Sequence, residues 1–307
     1  GLPAAEIESR DGLLRHAASG REATFGAMAE RAATLEAPDP ASVTLKKPED
    51  FRLIGRDPLP RPDSGKKIRG QTTYASDIRL PGMLSALVRR PPRFGAVPGR
   101  IDTEAALAMP GVRAVLPLPH GVALVAESHW QALKAREAIK IEWDESGAVK
   151  TGSKALLEQY RDLAGTPGTA FRADGDALAA WAEPETQIVE ALYDVPFAAH
   201  APMEPLSAGA LMTDTGIEIW AGAQSPTFDV LNIAAAARLK PDQVRLRIIQ
   251  AGGSFGRRAS PNSDYLAEVA AVARGLADQG IEAPVTLTWS REDDIRGGYY
   301  RPMAVHA

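Results

Sequence analysis

Short β-rich runs alternate with helical stretches along most of this sequence, and that alternation commits the chain to the α+β class, with helices packed against sheets. Apolar and β-branched runs predict strands at 84–89, 112–116, 122–126, 139–143, 216–220, 244–249 and 285–289. Pro119-His120-Gly121 reads as the turn of a hairpin between the second and third of these. Helical spacing predicts helices at 24–35, 103–109, 129–138, 154–163, 228–239 and 264–276, the first capped by Thr24 and stopped by Ala37-Pro38-Asp39-Pro40. Four parts follow: a helical N-terminal segment at 1–45, a compact unit at 46–148, a Gly-, Ala- and charge-rich connector at 149–185, and a further alternating part at 186–307.

Composition narrows the function. A length of 307 residues suits about two domains. Lys plus Arg number 35 against 39 Asp plus Glu, so a net charge of −4 gives no overall pull toward nucleic acid, and any bound anion must be held locally. With no cysteine, thiol nucleophiles, thiolate metal sites and iron–sulfur ligation by this chain are excluded, and a redox role needs a borrowed cofactor. No stretch approaches the ~20 apolar residues of a membrane helix. The start, Gly1-Leu2-Pro3, and the end, after Val305-His306-Ala307, read as those of a fragment or a processed chain.

The residues able to carry chemistry cluster late. Gly252-Gly253-Ser254-Phe255-Gly256 follows a predicted strand, and its glycines allow main-chain amides to approach a ligand; taken alone, such a run is also an ordinary tight turn. It meets neither the dinucleotide fingerprint nor the phosphate-loop spacing. Arg257 and Arg258 next to it suit an anion, or form a solvated pair. Gln224 lies between a strand end and a helix start, where an amide can donate one hydrogen bond and accept another, or simply serve the turn. Glu204 in Met203-Glu204-Pro205 reads as a main-chain acceptor rather than a base. His129 and His200 are single histidines without further ligands at metal-binding spacing, and Asp264 and Glu268 stand one helical turn apart as cap and surface decoration.

Five segments in one order carry more weight than any of them singly. Tyr193 to Pro205, Trp220 to Pro226, Gln250 to Arg258, Trp289 to Asp294 and Tyr300-Arg301-Pro302 together resemble the isoquinoline 1-oxidoreductase and aldehyde dehydrogenase type of large subunit in the xanthine dehydrogenase and aldehyde oxidase superfamily. Phe51 to Gly55, Gly70 to Ile78 and Pro81 to Leu84 resemble the hammerhead domain of the same family, so that 46–148 is expected to be hammerhead-like and 186–307 the first part of a molybdopterin-binding domain, with 1–45 belonging to the cofactor domain. The resemblance implies a molybdenum hydroxylase that oxidises an aldehyde or an N-heterocycle with water as oxygen source. The implied cofactor is molybdopterin, in its cytosine dinucleotide form, carrying molybdenum.

It also implies that Gln224 and Arg301 face the reacting centre, and that Gly252, Gly253, Ser254, Phe255, Gly256 and Arg257 contact the cofactor. The glutamate base of the family sits in a Gly-Glu motif without a counterpart in these 307 residues, so the chain is expected to be catalytically incomplete alone. Electrons are expected to leave through a [2Fe–2S] small subunit and often a cytochrome c subunit, with the remainder of the large subunit as a further partner. The implied compartment is the bacterial periplasm or cytoplasm, with the periplasm favoured. The competing expectation is a non-catalytic binding or assembly module in which the glycine run is only a turn.

Overall fold

In a computed structural model, residues 2–57, 59–297 and 302–307 are described, and the chain divides into two compact units, Gly1–Gly65 and Lys66–Ala307.

The first unit opens with an antiparallel meander, β1 (Ile7–Arg10), β2 (Leu13–His16) and β3 (Arg21–Thr24), followed by helix α1 (Phe25–Ala32). The Thr24 hydroxyl accepts from the Ala27 N–H at 3.0 Å, so the predicted cap holds the helix. The three strands correct the expectation of a purely helical segment. The strands are four residues each and mostly exposed, too short to show alternation, so the signal lies in the turn: Asp11 and Gly12 both take positive φ, 51° and 80°, as a two-residue hairpin requires. Among the described residues of this unit only His16 is buried, held between Glu6 at 2.8 Å and Ser19 at 2.7 Å. Helix α2 (Ser64–Ile68) follows in the chain.

The second unit is organised by one seven-stranded sheet. In chain order its region contains β4 (Leu84–Arg89), β5 (Val97–Asp102), α3 (Glu104–Leu107), β6 (Val112–Leu118), β7 (Gly121–Ala126), α4 (His129–Ala138), β8 (Lys140–Asp144), α5 (Ser153–Ala164) and α6 (Ala177–Trp181). There follow β9 (Leu192–Val195), β10 (Ser207–Thr213), β11 (Gly216–Ala221), α7 (Pro226–Ala237), β12 (Val244–Ile248), α8 (Asp264–Asp278), β13 (Val285–Thr288), α9 (Arg291–Arg296) and β14 (Met303–His306). The large sheet runs β12-β11-β10-β13-β4-β7-β6, while β5 with β8 and β9 with β14 form two-stranded antiparallel pairs. Strands from both sides of the predicted connector therefore share one sheet, joined where β4 lies parallel to β13.

Alternation along the strands decides which face meets which helix. Leu84, Ala86 and Val88 of β4, with Ala123 and Val125 of β7, join the main core under α8; Val122 and Leu124 point the other way, with Ala135 and Ile139 around α4. Every residue of β7 is buried, as expected for a strand covered on both faces. Leu266, Val269, Ala270, Ala273 and Leu276 of α8 recur at helical spacing and pack in that core, with Ile233 and Ala237 of α7. Gly280, at φ 72°, follows the end of α8 in the left-handed conformation that lets the chain turn away. No described helix is long and apolar enough to cross a membrane.

Candidate functional site

Strands β11 and β12 are parallel neighbours, so the loops after their C-terminal ends emerge on the same edge of the sheet. The first, 222–225, carries Gln224; the second, 249–256, carries the glycine run. The two loops come close enough that a Cβ on Gly222 would lie 2.6 Å from the Cβ of Ala251. Parallel pairing thus unites two segments that are separate in sequence, at the strand ends where open parallel sheets place ligands.

Glu204 fastens the glycine run from below. Its main-chain N–H donates to the Gly252 carbonyl at 3.0 Å, and its carboxylate accepts from the Gly252 N–H at 2.9 Å and the Ser76 N–H at 3.0 Å. Gly252 must be glycine for this embrace, since a Cβ there would stand 2.5 Å from that of Glu204. The Glu204 carboxylate also accepts from Arg258 Nη2 at 3.0 Å, so it is an acceptor with its lone pairs engaged, in line with the main-chain role read from the sequence.

Arg257 and Arg258 turn inward, and neither alternative drawn from the sequence survives: both are 1% exposed, so they are neither a solvated pair nor guanidinium forks open to an anion. Arg258 donates to the carbonyls of Gly253 at 3.1 Å, Glu204 at 3.3 Å and Gly222 at 3.5 Å, tying the two loops to the segment before β10. Tyr265 of α8 donates to the same Gly222 carbonyl at 2.6 Å, and burial pushes its phenol well above the ordinary value. Arg257 pairs with both oxygens of Asp264, at 3.2 and 2.7 Å. Asp264 and Glu268 are therefore more than helix decoration. Glu268 accepts from Arg90 at 2.8 and 2.6 Å and from Trp289 Nε1 at 2.8 Å, while Arg90 lies 3.8 Å over the Trp289 ring.

What remains open is the outer surface of the turn. Gly253 has φ 104°, Phe255 57° and Gly256 93°, three left-handed residues within four, and Phe255 is 77% exposed. Positive φ at an aromatic residue is a strain that persists only where the surroundings enforce it. Among the described residues none accepts from the main-chain N–H of Ser254, Phe255 or Gly256, and nothing lies within 4 Å of a Cβ built on Gly256. Gln224 is exposed, its Oε1 accepts from the Ser254 hydroxyl, and among the described residues nothing accepts from its Nε2. A turn with several N–H groups unpaired among the described residues, beside an amide NH2, is a donor-rich cradle, chemically matched to acceptor atoms of a ligand such as phosphate or oxo oxygens.

Arg301, the other residue placed at the reacting centre by the sequence reading, lies outside the described residues, as does Tyr300. The described residues hold no group of three or more His, Cys, Asp and Glu able to bind a metal ion. Sequence reading missed Arg258 as the tie of the site, and it missed Tyr265 and Ser76; Arg258 stood in the glycine segment, but nothing local distinguishes a buried arginine there from a solvated one.

Residues 164–305, which include both loops, match the molybdopterin cofactor-binding domain family. The chain is thus similar to molybdopterin-binding subunits of the xanthine dehydrogenase family. It is 30% identical to the beta subunit of isoquinoline 1-oxidoreductase from Brevundimonas diminuta over 98% of this chain and 42% of that one. To the aldehyde oxidoreductase of Megalodesulfovibrio gigas it is 29% identical, over 84% of this chain and 33% of the relative. Among solved structures, the aldehyde oxidoreductase of Desulfovibrio gigas superposes with a TM-score of 0.62 at 24% identity, covering 80% of this chain and 32% of that one. Quinoline 2-oxidoreductase of Pseudomonas putida 86 gives 0.59 at 22% identity, covering 77% and 34%. The chain thus spans about two-fifths or less of the length of these relatives.

Proposed function

We propose that this chain supplies the first cofactor-holding part of a molybdenum hydroxylase large subunit, acting on an aldehyde or an N-heterocyclic aromatic compound with water as the oxygen source. The observation that carries the proposal is the donor cradle: the N–H groups of Ser254, Phe255 and Gly256, unpaired among the described residues, beside the Nε2 of Gln224, inside the segment that matches the molybdopterin-binding family. When bound, molybdopterin in its cytosine dinucleotide form supplies the two-electron redox chemistry. The amides of Phe255 and Gly256 hold its acceptor atoms, Gly253 and Ser254 shape the turn, and Gln224 donates to an acceptor at the reacting centre. Arg257 contributes from beneath, through its pair with Asp264 rather than by touching the cofactor. Arg301 is retained as a residue facing substrate.

Residues 46–148 form the hammerhead-like part in this reading, and 186–307 the beginning of the cofactor domain. Glu204 is not the base, because its carboxylate is already shared among two main-chain N–H groups and Arg258. Since the chain has no cysteine, electrons leave through a [2Fe–2S] partner subunit, with a cytochrome c subunit as a further acceptor.

The decisive experiment uses the complete enzyme with its partners. Purified enzyme should contain molybdenum by mass spectrometry, and Gln224→Ala should leave that content near normal while lowering turnover of an aromatic aldehyde or N-heterocycle about 10- to 1000-fold, the usual effect of losing one preorganised donor. Absence of molybdenum from the wild-type enzyme refutes the function; unchanged turnover in Gln224→Ala removes that residue from the reacting centre.

A further inference from the structure

We propose that Ser254 is a positioning residue, whose hydroxyl sets which end of the Gln224 amide faces the ligand. The inference rests on the site reading above and deepens it.

A glutamine side chain ends in an acceptor and a donor of nearly equal size, so an exposed glutamine can present either. Only one end suits an acceptor ligand. At this site the choice is made by a relay that begins with a group unable to reverse its polarity. The main-chain N–H of Arg258 donates to Ser254 Oγ at 3.0 Å. That N–H is held in place because the Arg258 side chain, fully buried, is bound to Gly253 O, Gly222 O, Glu204 O and Glu204 Oε2. With its oxygen already accepting, the Ser254 hydroxyl directs its proton to Gln224 Oε1. The Gln224 carbonyl is then occupied, and among the described residues nothing accepts from the two protons of Nε2, which are left for a ligand. In the reversed arrangement Ser254 Oγ would accept from both neighbours, its own proton would have no partner, and Gln224 would offer a carbonyl to an acceptor ligand. Both consequences are unfavourable.

The Ser254 hydroxyl therefore acts through Gln224 rather than on the ligand itself, a role separate from that of the main-chain N–H groups of the turn. The sequence gives the relay a natural control, because threonine preserves the hydroxyl and alanine removes it. The test is a set of variants in the complete enzyme: Ser254→Ala, Ser254→Thr, Gln224→Ala and the double Ser254→Ala with Gln224→Ala. Each is measured as turnover per molybdenum, as molybdenum per large subunit, and as hydrogen exchange of the peptide containing Arg258 in cofactor-free enzyme. Losing a net hydrogen bond of about 1 kcal/mol predicts that Ser254→Ala lowers turnover per molybdenum about three- to tenfold. Molybdenum content should stay near normal, exchange at Arg258 should rise, and Ser254→Thr should restore both turnover and protection.

In the Gln224→Ala background, removing the Ser254 hydroxyl should change turnover by less than about twofold, because the two residues act as a unit. Multiplying effects in the double variant, full turnover in Ser254→Ala, or activity lost in step with molybdenum would each overturn the positioning role while leaving the Gln224 assignment standing. Unchanged turnover in Gln224→Ala would overturn both, so failure of the deeper inference is distinguishable from failure of the site reading.

Discussion

Arg258→Met tests whether the buried Glu204–Arg258 pair is what holds the two loops in one frame. The substitution keeps most of the side-chain volume but removes a guanidinium that is completely screened from water, next to a Glu204 carboxylate whose side chain is 7% exposed. Breaking such a pair by removing one partner leaves an uncompensated buried charge and typically costs about 3 to 5 kcal/mol. Here three carbonyls, of Gly253, Glu204 and Gly222, lose a donor at the same time, which places the expected loss toward the upper end. For a unit of this size about 2 to 4 °C of Tm accompanies each kcal/mol, so the transition should fall by about 6 to 20 °C. The assay is thermal unfolding of the purified chain followed by circular dichroism and calorimetry. Two controls calibrate it. Arg257→Met leaves Asp264, which is 22% exposed and can recruit water, and should cost about 1 to 3 kcal/mol. Arg247→Ala breaks a solvent-exposed pair with Glu218 and should leave the Tm close to that of the parent. Adding Glu204→Gln to Arg258→Met should recover part of the loss, because the neutral amide oxygen can still accept from the Gly252 N–H. An Arg258→Met chain within about 1 kcal/mol of the parent, or no worse than Arg247→Ala, would refute the argument.

Gly256→Val should keep the fold, since nothing lies within 4 Å of the added Cβ, yet abolish cofactor loading of the complete enzyme by placing a strained β-branched residue at φ 93°; full molybdenum content in the variant would disprove the contact. Tyr265→Phe leaves the Gly222 carbonyl with only the long 3.5 Å bond from Arg258 and should cost about 1 to 2 kcal/mol in thermal unfolding; an unchanged Tm would mean that the 2.6 Å bond contributes nothing. Asp229 is fully buried, and burial raises its carboxyl above the ordinary value, so its ionisation opposes folding as pH rises through the raised pKa. Asp229→Asn should therefore raise the Tm near neutral pH, with the gain shrinking toward zero as pH falls to the ordinary aspartate range; a gain independent of pH would mean that Asp229 is not the titrating group.

The elements that were legible in the sequence are those whose side chains report their own burial. Helix α8 announces itself through Leu266, Val269, Ala270, Ala273 and Leu276, and β7 through an unbroken apolar run, because in both the residues that pack are also the residues that set the period. Strand β10 lies inside the sheet between β11 and β13, yet Ser207-Ala208-Gly209-Ala210 offers little strand propensity. Its smallness is dictated by its neighbours: a Cβ on Gly209 would come within 3.1 Å of the Met83 side chain. The meander of β1 to β3 failed for the opposite reason, since its strands are short and mostly exposed and bury too few residues, His16 foremost, to create a pattern.

The same distinction runs through the site. Glycines at 252, 253 and 256 can be noticed in a sequence because glycine permits the positive φ of 253 and 256 and the close approach of Glu204 at 252. The direction of an arginine cannot, because two adjacent arginines look equally suited to an anion, to solvent or to the interior. What turned them inward is the arrangement of acceptors around them: Asp264 at the start of α8, Glu204 from 54 residues earlier, and a carbonyl of the left-handed turn itself. The positive charge that suggested anion binding is spent on building the cradle, and the donors left for a ligand are uncharged amides. A site assembled this way should select its ligand by the geometry of its acceptors more than by its net charge, and its affinity should accordingly depend only weakly on ionic strength.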